Sequence, residues 1–274
     1  MKTLYITDLD GTFLRSDETL SPFSADVAAR ITAQGDVFSY ATGRALTTAR
    51  YVTTALTAEI PVVVHNGTFI MNNRTGEVLH SHMFTDEACA AIRAVLDEYG
   101  ANPLVFSFVD GVERMSWLRG VETLASTVFL DSREGDPRRR PVDTVAELYE
   151  GEVFCFTFSN SEEAMRGVCK VFENSPYAEC LYLRDTYSGD YWCELLHPQA
   201  GKANAVRELA RITDCGKIVC FGDNVNDVSM FEIADEAYAV SNAVPELKAL
   251  ATGVIGSNDD DAVALWLLEN AVRD

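Results

Sequence analysis

The sequence predicts an α/β protein in which both ends of the chain build one doubly wound parallel sheet and an α+β domain is inserted between them. Three observations carry this. Strand and helix patterns alternate over about the first 65 residues, the signature of a parallel sheet with right-handed crossovers. The alternation returns from Gly201 onward. Between the two stretches hairpin patterns mix with helices, which marks a unit of a different class. The expected limits are 1–82 with 196–274 for the discontinuous α/β domain and 83–195 for the insertion.

Thr3-Leu4-Tyr5-Ile6-Thr7 is short, apolar and β-branched, and stops at two aspartates and a glycine; it reads as a buried strand ending in a functional loop. A helix follows, with Ser21 as N-cap, Pro22 at its first position and Gly35 as its stop. Val37 to Ala41 is a second strand ending at Thr42-Gly43-Arg44, then a helix runs from Ala45 to Leu56. Pro61 to Val64 is a third buried strand, ending at His65-Asn66-Gly67. Thr68 to Met71 with Glu77 to His80, and Leu104 to Val109 with Val112 to Trp117, read as hairpins. Helices at Asp86 to Tyr99 and Ser161 to Glu173 and strands at Val153 to Phe158 and Ala178 to Leu183 complete the insertion. From Gly201 come a helix to Ile212, a strand Lys217 to Phe221, a helix from Asp227, a strand Ala237 to Val240 and a terminal helix from Asp259. Arg138-Arg139-Arg140, between prolines, reads as a solvated loop.

At 274 residues with 47% apolar and 23% charged residues, the chain has the composition of a soluble globular protein, and no apolar run suggests a membrane span or a signal peptide. A cytoplasmic location is expected. The seven cysteines include no CxxC pair and sit in apolar segments, so reduced, buried thiols are expected. A formal net charge of -20 opposes nucleic-acid and anionic-membrane partners. Oligomeric state is not legible. An anionic substrate would need a local positive device.

In an open parallel sheet, ligands bind outside the carboxyl ends of the strands. That rule gathers Asp8 and Asp10, Thr42 and Gly43, Asn66, and the loop Gly222-Asp223-Asn224-Val225-Asn226-Asp227, with Lys202 from one helix start. Four carboxylates converging in a partly buried cleft demand a cation. Oxygen donors with few histidines suit Mg²⁺, which together with Lys202 would bring the site near neutrality. Asp8 can then act as nucleophile on phosphorus, and Asp10 as general acid and afterwards general base. Thr42, Gly43 and Asn66 would hold phosphoryl oxygens, and Lys202 would neutralise developing charge.

Taken together, Asp8-Leu9-Asp10-Gly11-Thr12, Thr42-Gly43-Arg44, Lys202 and Gly222 to Asp227 resemble the four ordered motifs of the haloacid dehalogenase superfamily. The α/β insertion after the second motif, with Asn66-Gly67 and Ser241-Asn242-Ala243, is similar to the Cof-type branch, class IIB with a C2-type cap. The resemblance implies a Rossmann-like core and a phosphatase of small metabolites, mostly sugar phosphates, that works through an aspartyl-phosphate while the cap closes over the site. It also implies that Asp8 and Asp223 ligate Mg²⁺ by side chain and Asp10 by its carbonyl, with Asp227 or Asn226 in support. Val64-His65 before Asn66-Gly67, and Gly201 and Ala203 around Lys202, depart from the usual pattern without touching the inferred chemistry, with His65 placed to alter phosphate or leaving-group contacts.

Plainer roles stand beside these. Thr42 would serve as a helix N-cap, Asn66-Gly67 as a turn, Lys202 as a surface lysine and Arg44 as a surface ion pair. His80 and His82 lack further ligands for a metal pair. Asn242 is expected to close the loop around Asp223, and Trp192 and Glu194 to pack a linker. The expected substrate is a small phosphorylated metabolite. The competing functions are a phosphomutase or phosphotransferase sharing the same intermediate, and a non-catalytic metabolite-binding regulator.

Overall fold

A computed structural model describes residues 1–184 and 191–273. The chain forms two compact units, one of Met1–Ser81 with Ala200–Asp274 and the other of His82–Gln199.

The first unit opens with β1 (Thr3–Thr7), every residue of which is buried. α1 (Pro22–Ala33) starts where the sequence predicts: the Ser21 hydroxyl accepts the Ser24 N–H at 3.0 Å, a cap worth about 1 kcal/mol. β2 (Val37–Tyr40) and α2 (Leu46–Val52) follow, the helix ending earlier than expected at Thr53, whose hydroxyl bonds back to the Ala49 carbonyl. β3 (Pro61–Val64), β4 (Phe69–Asn72) and β5 (Val78–Ser81) make an antiparallel three-stranded sheet, and a single parallel bridge from Ala41 to Val63 ties β3 to the end of β2.

The second unit contains α3 (Asp86–Glu98), β6 (Leu104–Val109), β7 (Val112–Leu118), α4 (Leu124–Asp131), β8 (Arg139–Val142), α5 (Val145–Leu148), β9 (Glu152–Phe158), α6 (Glu162–Phe172), β10 (Glu179–Arg184) and β11 (Tyr191–Leu196). Its sheet runs β10-β11-β9-β6-β7-β8. Ile92 and Leu96 of α3 and Met165, Val168 and Phe172 of α6 pack in one apolar cluster with Val105, Phe156 and Leu195 of the sheet. A smaller cluster gathers Leu104, Met115, Trp117, Leu130 and Trp192, with Phe129 packed against it. Helices α4 and α5 and strands β8 and β11 are absent from the sequence-based pattern.

Two expectations fail in this unit. Arg138 is not solvated: its side chain is 8% exposed, with Nη1 on Glu113 at 2.8 Å and Nη2 on Asp136 at 2.6 Å, and Arg139 and Arg140 enter β8. The basic run is held by carboxylates that are distant or loop-borne, which a local reading overlooks. Nor are all seven cysteines reduced, because Cys169 of α6 and Cys180 of β10 form a disulfide, brought together by the packing of that helix on that strand.

Returning to the first unit, α7 (Lys202–Ile212), β12 (Lys217–Gly222), α8 (Val228–Phe231), β13 (Glu236–Ala239), α9 (Pro245–Leu250), β14 (Gly253–Val254) and α10 (Ala262–Asn270) restore the α/β pattern. The five-stranded sheet has the order β14-β13-β12-β1-β2, all parallel, so strands from the two ends of the chain lie side by side at its centre. Ile6 and Phe221 are fully buried there, and Thr7 at the end of β1 pairs with Phe221, one residue before the end of β12.

No helix among the described residues is long and apolar enough to cross a membrane.

Candidate active site

The adjacent ends of β1 and β12 build the site. Asp8 leaves β1 with its N–H bonded to the Phe221 carbonyl at 2.9 Å, so the last rung of the sheet fixes its backbone. Its carboxylate is buried, and Oδ1 lies 3.0 Å from Nζ of Lys202. The loop after β12 delivers Asp223 and Asp227. One oxygen from each of Asp8, Asp223 and Asp227 lies within 4.8 Å of the others.

Asp227 is engaged on both sides. Oδ1 accepts from Nζ of Lys202 at 2.7 Å, while Oδ2 accepts the N–H groups of Asp223 and Asn224 at 3.0 and 3.1 Å. It therefore moulds the loop that presents Asp223. Asn226 sits half-buried in the 3-10 turn Val225–Asp227 of that loop. Asp223 Oδ1 accepts from the Thr12 hydroxyl at 3.0 Å, and its carbonyl accepts the Val244 N–H.

Electrostatics set these carboxylates apart. Burial holds the Asp8 carboxyl well above the usual carboxylate range; Lys202 opposes the rise, and Asp227 and Asp223 add to it. Burial, then the charge of Asp227, pushes Asp223 up to about 6. Burial works against the Lys202 ammonium, yet Asp227 and Asp8 outweigh it and hold the lysine above its ordinary value. One ammonium among three carboxylates leaves surplus negative charge in a buried place. That donor set, hard oxygens with an excess of charge, fits a divalent cation of the Mg²⁺ kind.

Asp10 does not join the three. Its carboxylate takes the guanidinium of Arg44, with Nε at 2.8 Å and Nη2 also bonded, and Arg44 reaches Glu18 at 2.8 Å as well. The side chain of Asp10 is 41% exposed. The expected convergence of four carboxylates thus becomes a cluster of three, with Asp8 and Asp227 buried and Asp223 half-buried, and a separate, more accessible one. Arg44 holds Asp10 while Lys202 faces Asp8, and the two cations come from different elements; Asp10 and Gly11, the latter at φ 72°, also depart from helical geometry in the turn Leu9–Phe13. A Cβ on Gly11 would stand 2.6 Å from Asp223 Oδ2, so glycine is required by close approach as well as by conformation.

Thr42 and Asn66 are brought to the same end of the sheet. The Thr42 hydroxyl, buried, accepts the Arg44 N–H at 3.1 Å within the loop and is not the expected helix N-cap, which is Ala45 without a side-chain cap. The Asn66 N–H bonds the Thr42 carbonyl at 3.0 Å, and its side-chain oxygen would meet a Cβ on Gly43 at 3.0 Å. Asn66 has φ 52°. Gly67, at φ +98°, packs so closely that a Cβ there would stand 2.3 Å from the carbonyl of Gly201. The turn after β3 is thereby pressed onto the start of α7, which positions Lys202.

Lys202 is no surface lysine: its side chain is 2% exposed. Asn242 closes the loop cluster by a different partner from the expected one, donating from Nδ2 to the Gly11 carbonyl at 2.7 Å and accepting the Asn258 N–H. His80 and His82 go separate ways, His80 near Glu208 at 3.7 Å and His82 stacked on His197. Trp192 is buried in its cluster beside Phe129, and Glu194 accepts from the Cys155 thiol. Glu18 and Asn258 were not singled out by the sequence; nothing local marks a glutamate in a loop as the second anchor of Arg44.

A family model for haloacid dehalogenase-like hydrolases matches residues 5–267. The chain is 27% identical to the 5-amino-6-(5-phospho-D-ribitylamino)uracil phosphatase YwtE of Bacillus subtilis, over 97% of each chain. It is 26% identical to the pyridoxal phosphate phosphatase YbhA of Escherichia coli, again over 97% of each. Among solved structures, the phosphatase BT1666 of Bacteroides thetaiotaomicron superposes with a TM-score of 0.80 at 20% identity, covering 100% of this chain and 96% of that one. At that identity the likeness speaks for the fold.

Proposed function

The chain belongs to the haloacid dehalogenase-like hydrolase family, and on that premise we propose that this phosphoric monoester hydrolase is Mg²⁺-dependent and works through an aspartyl-phosphate on Asp8. The observation that carries the proposal is the trio Asp8, Asp223 and Asp227, with Asp8 and Asp227 buried and Asp223 half-buried, around the buried Lys202 at the ends of β1 and β12.

Asp8 and Asp223 would hold the cation with their carboxylates, aided by the Asp10 carbonyl that the family pattern implies. Asp227, already taken by Lys202 and two backbone N–H groups, would support the loop, with Asn226 as the other side-chain oxygen nearby. Bound Mg²⁺ supplies charge neutralisation for the phosphoryl oxygens and orients them.

The residues divide the rest. An Asp8 oxygen attacks phosphorus as the bond to the substrate's ester oxygen breaks, and Asp10 gives that oxygen a proton. Asp10 then takes a proton from water, whose oxygen attacks the same phosphorus and frees inorganic phosphate from Asp8. Accessibility supports the assignment of proton transfer to Asp10 and not Asp8. Thr42 through its O–H, Gly43 through its N–H and Asn66 through its amide would receive the phosphoryl oxygens. Lys202, touching the nucleophile, offsets charge that builds as phosphorus is attacked.

The substrate is proposed to be a small phosphorylated metabolite. Sugar phosphates come from the family resemblance; the two relatives named above add phosphorylated compounds carrying a planar nitrogen ring. Purified protein with Mg²⁺ should release phosphate from p-nitrophenyl phosphate and from members of a phosphometabolite panel, and lose that activity in chelator. Asp8→Asn should lower the rate by about 10⁵-fold with an unchanged circular-dichroism spectrum. Full activity in that variant would sink the mechanism.

A further inference from the structure

Apart from the carboxylate site, the His82–Gln199 unit brings three sulfurs to one point. β10 and β11 pair antiparallel with Cys180 opposite Leu195 and Tyr182 opposite Cys193, so Cys180 and Cys193 are diagonal neighbours on one face. Helix α6 adds Cys169, whose sulfur is bonded to that of Cys180 and lies 3.5 Å from that of Cys193. All three Sγ atoms fall within 4.8 Å of one another. Cys193 is fully buried, and its S–H is turned toward the Met165 carbonyl, 3.7 Å away. A disulfide that fastens α6 to β10 needs two cysteines. The third sulfur, on a different strand and facing the same point, is what such a fastening leaves unexplained.

We propose that, once the Cys169–Cys180 bond is reduced, Cys169, Cys180 and Cys193 form a tris-thiolate site for a thiophilic cation of the Zn²⁺ or Cu⁺ class. Reduction by a dithiol delivers two electrons and two protons: the S–S bond breaks, two thiols form, and the dithiol closes to its own disulfide. Cation binding then replaces sulfur-bound protons, which pass to solvent as metal–sulfur bonds form. Soft donors select such cations, whereas the oxygen donors of the carboxylate trio suit Mg²⁺, so the two positions take different ions. The bound cation would take over from the disulfide in joining α6 to β10 and would also engage β11. The proposal stands independently of the phosphatase reading.

The test uses the full chain and Cd²⁺ as the probe. Protein reduced with a phosphine, desalted without oxygen and titrated with Cd²⁺ should show a thiolate-to-cadmium charge-transfer band that saturates at one ion per chain, and its Tm should rise as the ion binds. Wild-type protein left oxidised, with Cys169 and Cys180 bonded, should show no such band, a control that needs no substitution. Cys193→Ala should weaken binding by about a hundredfold or more, beyond the loss typical of an outer-shell partner, while Cys89→Ala on α3 should titrate like the wild type. An equal band in the oxidised protein, an unaltered titration in a folded Cys193→Ala, or no band in folded, reduced wild type would each overturn the proposal.

Discussion

Lys202 and Arg138 are both cations buried between two carboxylates, one in each unit of the molecule. Arg138 uses its planar fork on Asp136 and Glu113, and its hydrogen bonds hold the Asp136 carboxyl below the usual carboxylate range. Lys202 bridges Asp8 and Asp227 at comparable distances, yet burial keeps the Asp8 carboxyl well above that range. Two causes separate them. Asp136 keeps 14% of its side chain in solvent and Asp8 only 7%, and a further carboxylate, Asp223, faces the lysine cluster. The guanidinium of Arg138 faces two carboxylates, whereas the ammonium of Lys202 faces three and leaves the larger surplus of negative charge. A buried ion pair says little about function by itself; a buried excess of one sign says much more.

The comparison can be broken or sharpened in four ways. The largest effect is expected at Lys202→Met, which should lower kcat/KM by about 10³-fold, the scale of losing one preorganised positive contact. A variant retaining wild-type kcat/KM would reduce Lys202 to an ordinary structural ion pair. Arg138→Met should cost about 3 kcal/mol in denaturant unfolding by stranding Asp136 and Glu113, with kcat/KM of the folded protein unchanged. Loss of turnover there would contradict the division of roles.

Mg²⁺ should discriminate between the clusters. At about a hundred times its Kd it should stabilise the wild type by about 2.7 kcal/mol, and Arg138→Met by the same amount, but Asp223→Asn by much less. Equal stabilisation of all three in thermal melts would move the cation elsewhere. The smallest effect is expected at Arg44→Met, where Asp10 and Glu18 both lose the guanidinium. A drop in kcat of about tenfold with little change in KM, less than the roughly 10²–10⁴-fold of losing the acid–base group itself, would mark Arg44 as positioning the proton-transfer group. A variant in which KM alone changes would assign Arg44 to substrate instead.

Much of the site was legible because it lies where short, strongly apolar strands stop. Thr3 to Thr7 and Lys217 to Phe221 announce themselves by composition, and the residues just beyond them, Asp8 and Asp223, are placed by that fact alone. Gly67 was readable as a turn and not as the contact that seats α7, because its neighbour Gly201 is remote in sequence. The split between Asp8 and Asp10 was invisible for a similar reason. Alternation predicts that both side chains leave together, but Arg44 and Lys202 lie on different elements and draw them apart.

The sequence by itself determined the alternating elements of the first unit, its parallel core and the set of residues at its strand ends. Those follow from periodicity, caps and turn residues, all of which act over a few positions. Tertiary structure alone decided which carboxylates share a cluster, that Arg138 is buried, and that Cys169, Cys180 and Cys193 meet. Each of those outcomes depends on partners from separate elements, and only packing brings such groups within the few ångströms at which charge and sulfur chemistry operate.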